Sequence, residues 1–140
     1  MTRLVLVGLA LAGLLGCGGP SASPVVREVR IDDVPWQVIE ATPDGMRGQP
    51  GFGEADGMLF DMGQGVDPDA VVFVMNGVAF PLDIAWFAED GRLVSVADMP
   101  QCDTEPCPRF RAAGPFRWAV EAPPGAFDGL PDDARLVIPG

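Results

Sequence analysis

The chain has 140 residues and a net charge of −11, because 20 residues are Asp or Glu and only 9 are basic, all of them Arg. This length favours one domain, and the 18 Gly and 15 Pro favour short strands and turns over long helices. With no His and no Lys, the sequence excludes Ser-His-Asp and Cys-His catalysis, zinc sites with a His ligand and a P-loop, while the acidic balance disfavours nucleic acid as a partner.

The first element in chain order is a predicted signal peptide over residues 1–16. A short basic start ends at Arg3, and residues 4–16 are uncharged and almost wholly apolar up to Cys17. This run is shorter than the roughly 20 residues that span a bilayer, so it indicates an export signal. Its end, Leu14 to Cys17, resembles a bacterial lipobox, which implies that Cys17 becomes the lipidated first residue. The alternative is an ordinary signal peptide that contains a Cys.

Residues 17–24 are predicted to form a flexible tether before a single domain over residues 25–140. Gly18 to Pro24 are small or polar residues interrupted by proline. Loss of Arg3 with the signal takes the net charge from −11 to −12, which keeps the domain away from anionic headgroups. The predicted protein is therefore an exported lipoprotein that faces the periplasm or the cell exterior, with the membrane as a partner through its anchor.

The rest of the chain is predicted to consist mainly of short strands. Apolar and polar residues alternate in several segments, and Val71 to Met75 form a continuous apolar run typical of a buried strand. Asp90 and Gly91 lie between two apolar segments, which is a strong hairpin signal. The predicted strands are residues 25–31, 36–41, 57–62, 71–75, 82–88, 92–97, 116–121 and 135–138.

One or two short helices are expected beside these strands. Thr42 can cap a helix, with Pro43 at its first position and Asp44 in its first turn, although the glycines and proline that follow keep it short. The predicted fold class is mainly β, as a small sandwich or a barrel-like domain.

Cys102 and Cys107 remain once lipid takes Cys17, and they lie in a segment with three prolines. An even, closely spaced pair in an oxidising compartment predicts a disulfide that shapes a long loop. A redox-active pair is the alternative, although the spacing is C-x4-C and no helix start lies beside it.

Four blocks stand out between Trp36 and Ile138: Ala41–Pro43 with Arg47–Gly48, Gly57–Phe60, Met75 with Pro81–Ile84, and Ala119–Glu121 with Gly125. In this order they resemble the family called domain of unknown function 192. A subset of that family also carries a proline-bracketed Cys pair. The resemblance implies a small, mostly β sandwich or barrel and a site, without an established reaction. In the central block only Met75 of the family's Trp-Met-Lys-Asn-Thr stretch is retained, within Val74 to Val78.

The candidate binding pocket combines residues of these blocks: Met75, Asn76, Asp83, Gly57 and Met58. Asp83 lies inside an apolar segment, so its carboxylate needs hydrogen bonds or a cation. It is either a ligand-binding or acid-base group with a raised pKa, or a structural acid bonded to backbone amides or an Arg. Asn76 precedes Gly77 and is also a plain turn signal.

The sequence therefore favours a lipid-anchored, extracytoplasmic binding module without catalytic residues, metal ligands or a cofactor. Its partner is an envelope protein or a small ligand, and its predicted binding face is the central block with the Cys loop. The alternative function is a carboxylate-dependent hydrolase or lyase centred on Asp83, and a third is a passive envelope protein. The ligand, the reaction, the membrane that holds the anchor and the oligomeric state stay open.

Overall fold

A computed structural model of the protein describes residues 23–140. The predicted signal peptide and the lipidation site at Cys17 lie outside these residues. Within them, no helix has the length and hydrophobicity needed to cross a membrane. Nine strands are present in the described part of the chain: β1 (Val26–Ile31), β2 (Val34–Glu40), β3 (Gly57–Val66), β4 (Phe73–Val74), β5 (Leu82–Phe87), β6 (Leu93–Met99), β7 (Arg109–Phe110), β8 (Phe116–Ala122) and β9 (Leu136–Val137).

Seven of these strands form one curled sheet in the order β6-β5-β8-β3-β2-β1-β9. All neighbours are antiparallel except β2 and β3, which pair in parallel from Val38 opposite Gly57. An isolated bridge between Arg92 and Arg135 joins residues at the two edges of the sheet. The sheet is therefore a half-barrel whose edges meet at one point. The short strands β4 and β7 pair separately.

The two-residue period of the strands separates two hydrophobic cores. In β5, Leu82, Ile84 and Trp86 belong to one core, whereas Ala85 and Phe87 belong to the other. The core with Ala85 and Phe87 is called the inner core, because its residues come from six strands of the curled sheet and from residues 127–138. The core with Leu82, Ile84 and Trp86 is called the outer core. It is covered by two segments, residues 42–53 and 71–80, which carry Met46, Phe52, Phe73, Met75 and Val78.

The helix predicted at Thr42 is wrong. Residues 42–49 form successive turns instead, in which the amides of Gly45, Arg47 and Gln49 each donate to the carbonyl oxygen three residues earlier. Gly45 and Gly48 have φ of 54° and 70°. These two left-handed residues lie three positions apart, so a helical hydrogen-bond ladder cannot extend through them. Residues 23–140 contain no helix elsewhere, so the expectation of one or two short helices is corrected, while the mainly β class is confirmed.

The strand predictions differ from the structure chiefly in the middle of the chain. The hairpin at Asp90 and Gly91 is confirmed, because β5 and β6 are antiparallel neighbours. The predicted strand over residues 71–75 is shorter than expected: only Phe73 and Val74 pair, with β7, and Val74 is 37% exposed. Strand β3 continues to Val66, beyond the predicted residue 62, through an irregular register after Asp61.

Candidate functional site

Strand β8 places one carboxylate on the outer face of the sheet. Residues 118, 120 and 122 face the inner core, so the alternation directs Ala119 and Glu121 towards the outer core. Glu121 pairs with Met58 of β3. Next to that pair, a Cβ on Gly57 would lie 2.5 Å from the carbonyl oxygen of Glu121. Gly57 is therefore the residue that allows β3 to approach β8 here.

Glu121 lies in a pocket of about 280 Å³ between the sheet and the two covering segments. Most of the walls are apolar, and the polar lining residues are concentrated in residues 42–47 and at Asn76. The pocket is lined by Thr42, Pro43, Asp44, Gly45, Met46, Arg47, Phe60, Met62, Val71, Val72, Phe73, Val74, Asn76, Val78 and Glu121. Apolar walls with a few polar groups are typical of small-molecule sites.

The Glu121 carboxylate reaches this pocket from a buried residue and has no compensating partner in the described part of the protein. The residue is 6% exposed, and it forms no hydrogen bond or ion pair with any residue of the described chain. Burial alone raises the pKa of Glu121 from 4.5 to about 7. A buried carboxylate with no donor is unusual, since buried polar groups are ordinarily hydrogen-bonded.

Two family blocks meet at the rim of this pocket. Arg47 Nε donates to the carbonyl oxygen of Asn76 at 3.2 Å, and the amide of Gly48 donates to the carbonyl oxygen of Gly77 at 3.1 Å. Gly77 has a φ of 73°, and a Cβ there would lie 2.9 Å from Arg47 Cγ. The glycine thus provides both the turn and the space in which the Arg47 side chain crosses it.

The Cys loop reaches the same rim. Cys102 and Cys107 form a disulfide, as the sequence predicts. Between them, Glu105 accepts a hydrogen bond from the Asn76 side-chain amide and another from the Cys107 backbone amide. Asn76 therefore links the central block to the Cys loop.

Two aromatic rings form part of the pocket wall. Phe60 of β3 and Phe73 of β4 both line it, with ring centroids 5.3 Å apart and planes at 87°. Phe73 also packs against Trp86 in the outer core, with centroids 5.9 Å apart. The aromatic wall is consequently supported from behind by the sheet.

The structure distributes the five predicted pocket residues over several positions. Asn76 lines the Glu121 pocket, and its turn with Gly77 is also present. Met75 is fully buried in the outer core, while Gly57 and Met58 lie beside Glu121 on the neighbouring strand. Asp83 is not part of this pocket, because its position in β5 directs it to the opposite face of the sheet.

Asp83 lies in a separate shallow cleft. It is 5% exposed, and its Oδ2 accepts a hydrogen bond from the amide of Gly125 at 2.8 Å. Burial raises the pKa of Asp83. The hydrogen bond from the Gly125 amide lowers this pKa, whereas the nearby carboxylates of Asp98 and Asp128 raise it further. Asp98 is its direct cross-strand partner. This is the arrangement of an acid bonded to backbone. In the described residues no group of three His, Cys, Asp or Glu side chains is placed to hold a metal ion.

The residue that sequence reasoning missed is Glu121. Its signal was present, because the alternation from Arg117 puts a carboxylate on the same face as Ala119, among apolar neighbours. The sequence pattern does not tell which segment covers that face, so burial of the carboxylate could not be predicted from it.

Comparisons with known proteins support the fold. The sequence model of a family described as Uncharacterized ACR matches residues 36–138. A solved structure from Sinorhizobium meliloti 1021, provisionally named a transcription regulator, superimposes with a TM-score of 0.67 at 22% identity, covering 81% of this chain and 94% of its own. A protein of unknown function from Novosphingobium aromaticivorans DSM 12444 gives a TM-score of 0.69 at 19% identity, covering 86% and 90%. No curated protein matches the chain.

Proposed function

Because the chain belongs to the domain of unknown function 192 (DUF192) family, a family of uncharacterized role, we propose a function from its own pocket: it is a non-catalytic module that binds a small molecule. The observation that carries this proposal is the buried Glu121 carboxylate, which no described residue neutralises or bonds. A protein that binds nothing there gains no stability from keeping a charged group in an apolar wall. Strained or desolvated polar groups of this kind are typical of sites that a ligand completes.

The geometry supports binding better than catalysis. The hydrolase or lyase alternative centres on Asp83, whose carboxylate is already bonded to the Gly125 amide on the other face of the sheet. The residues that line the Glu121 pocket include no Ser, Cys or Lys, and the one other carboxylate among them, Asp44, lies in the covering segment. A single buried carboxylate between aromatic and aliphatic walls can orient a ligand, which is sufficient for a binding protein.

We also propose that this module is attached to a membrane outside the cytoplasm through a lipid on Cys17. The basis is the sequence motif and the tether before Val26, where β1 begins. The Cys17→Ser variant should leave the membrane fraction or stall in processing. Maturation of that variant with unchanged membrane attachment would contradict the anchor.

Binding can be tested with four small probes that share a four-carbon chain: n-butanol, butanamide, butyrate and n-butylammonium. Saturation-transfer NMR on the full-length protein should detect at least one of them. Val72→Trp enlarges a half-buried wall residue and should abolish the signal. Val137→Trp is the matched control, because Val137 is 50% exposed and lies outside the pocket lining. Equal signals from both variants, or no signal from any probe, would refute a binding role for this pocket.

A further inference from the structure

We infer that the pocket takes a small organic ammonium ion, with the ammonium group on the Glu121 carboxylate and the carbon chain against the wall that Phe60 and Phe73 form. This inference rests on the proposed binding function and adds the chemical class of the ligand. Three features of the pocket carry it: an uncompensated carboxylate, an aromatic wall and a mouth without excess positive charge.

The carboxylate lacks a cation of its own. Arg47 is the one basic residue that lines the pocket, and its Nε is bonded to the Asn76 carbonyl at the rim. No basic side chain of residues 23–140 forms a salt bridge with Glu121. A bound ammonium would supply the missing opposite charge and up to three hydrogen-bond donors. An anionic ligand would instead place a second negative charge beside Glu121.

The aromatic wall suits the same ligand. The edge-to-face contact of Phe60 and Phe73 sets the two ring planes nearly perpendicular. Organic cations are attracted to the faces of aromatic rings, most strongly where water is excluded. Two methionines, Met46 and Met62, complete this wall with polarizable, adaptable side chains. A carboxylate together with aromatic rings is the chemistry by which proteins hold ammonium groups.

Size and charge restrict the ligand further. A volume of about 280 Å³ is at the small end of ligand pockets, so the ligand is a compact molecule rather than a peptide or a sugar chain. The other charged residues that line the pocket are Asp44 and Arg47, of opposite sign. The net charge of the chain, −11, favours the approach of cations to the protein over that of anions.

Binding of an ammonium ion should depend on the ionisation of Glu121. The pKa of Glu121 is raised to about 7 by burial, so the carboxylate is largely protonated at pH 5 and ionised at pH 8. Affinity for n-butylammonium should therefore rise by up to roughly 100-fold between these values, since the ionised fraction rises tenfold per pH unit below the pKa. Asp44 and Arg47 are the remaining titratable groups that line this pocket.

The experiment compares the four probes on the full-length protein and on Glu121→Gln, at pH 5 and pH 8, by NMR titration. We expect n-butylammonium to bind best at pH 8 and to lose its preference in Glu121→Gln, which keeps the shape and removes the charge. Equal affinity for n-butanol, or ammonium binding that Glu121→Gln leaves unchanged, would overturn the inference. If a neutral probe binds and Val72→Trp blocks it, the proposed function stands and only the ligand class fails. If no probe binds, both fail.

Discussion

Replacing Glu121 with Gln should stabilise the protein at pH 8 and have a smaller effect at pH 5. The pKa of Glu121 is 4.5 in an ordinary environment and about 7 in the fold. As pH rises through this window, the unfolded chain releases a proton that the folded chain retains, so wild-type stability falls and stays low above pH 7. A shift from 4.5 to about 7 corresponds to roughly 3 kcal/mol, since one pKa unit is about 1.4 kcal/mol. Gln has nearly the same shape and cannot ionise.

The measurement is urea unfolding of both proteins from pH 5 to pH 8, and the quantity to plot is the difference in their free energies of unfolding. The difference should grow from about 1 kcal/mol at pH 5 to about 3 kcal/mol at pH 8. Other carboxylates titrate equally in both proteins and cancel. Glu54→Gln, at an exposed position just after the covering segment 42–53, is the control and should change stability by under about 0.5 kcal/mol. A difference that is flat with pH would refute the account of Glu121.

Three other substitutions test the packing around the two carboxylates. Gly57→Ala should destabilise the protein by about 1–3 kcal/mol in urea unfolding, because its Cβ would lie 2.5 Å from a backbone oxygen of β8. The control is Gly114→Ala, which should be nearly neutral because its Cβ would lie 3.7 Å from a side-chain atom. Equal losses of stability in the two variants would contradict this explanation. Asp83→Ala should cost about 1–3 kcal/mol at pH 7, because it removes the acceptor of a backbone amide bond; an unchanged melting temperature would argue against that bond. Asp98→Asn should raise stability by about 0.2–1 kcal/mol at pH 7, because it removes the repulsion between the carboxylates of Asp98 and Asp83 across the strand pair. A lower melting temperature for this variant would show that the two carboxylates do not repel each other.

The strand framework could be predicted because its information is local. The alternation in residues 116–121 indicates β8, and Asp90–Gly91 specifies the hairpin between β5 and β6 without help from distant residues. Strand β7 was missed, because two residues carry no period and form a strand only by pairing with β4. The turns over residues 42–49 were mistaken for a helix because a good N-cap signal outweighed the spacing of the glycines.

The candidate site was harder to predict because its parts come from distant points of the chain. Arg47 bonds to Asn76, 29 residues away, and Asn76 to Glu105, another 29 residues away. Periodicity shows that Glu121 faces one side of a strand, but the depth of its burial depends on segments that the strand pattern does not locate. The position of Asp83 in an apolar segment indicates that its carboxylate needs a partner, but its hydrogen-bond donor, Gly125, is 42 residues away and could not be named from the sequence.

The pairing of β1 with β9 has a consequence for how the chain folds as it is made. Strand β1 begins at Val26, whereas β9, which pairs with it at the edge of the sheet, ends at Val137. The bridge from Arg135 to Arg92 then connects this edge to the start of β6 at the other edge. Whether the chain emerges from the ribosome or from an export channel, β1 appears early, but its end at Arg30 and Ile31 lacks its second partner strand until almost the whole domain has emerged. An unpaired edge invites pairing with other chains, so the nascent protein is most prone to association before its last strand emerges.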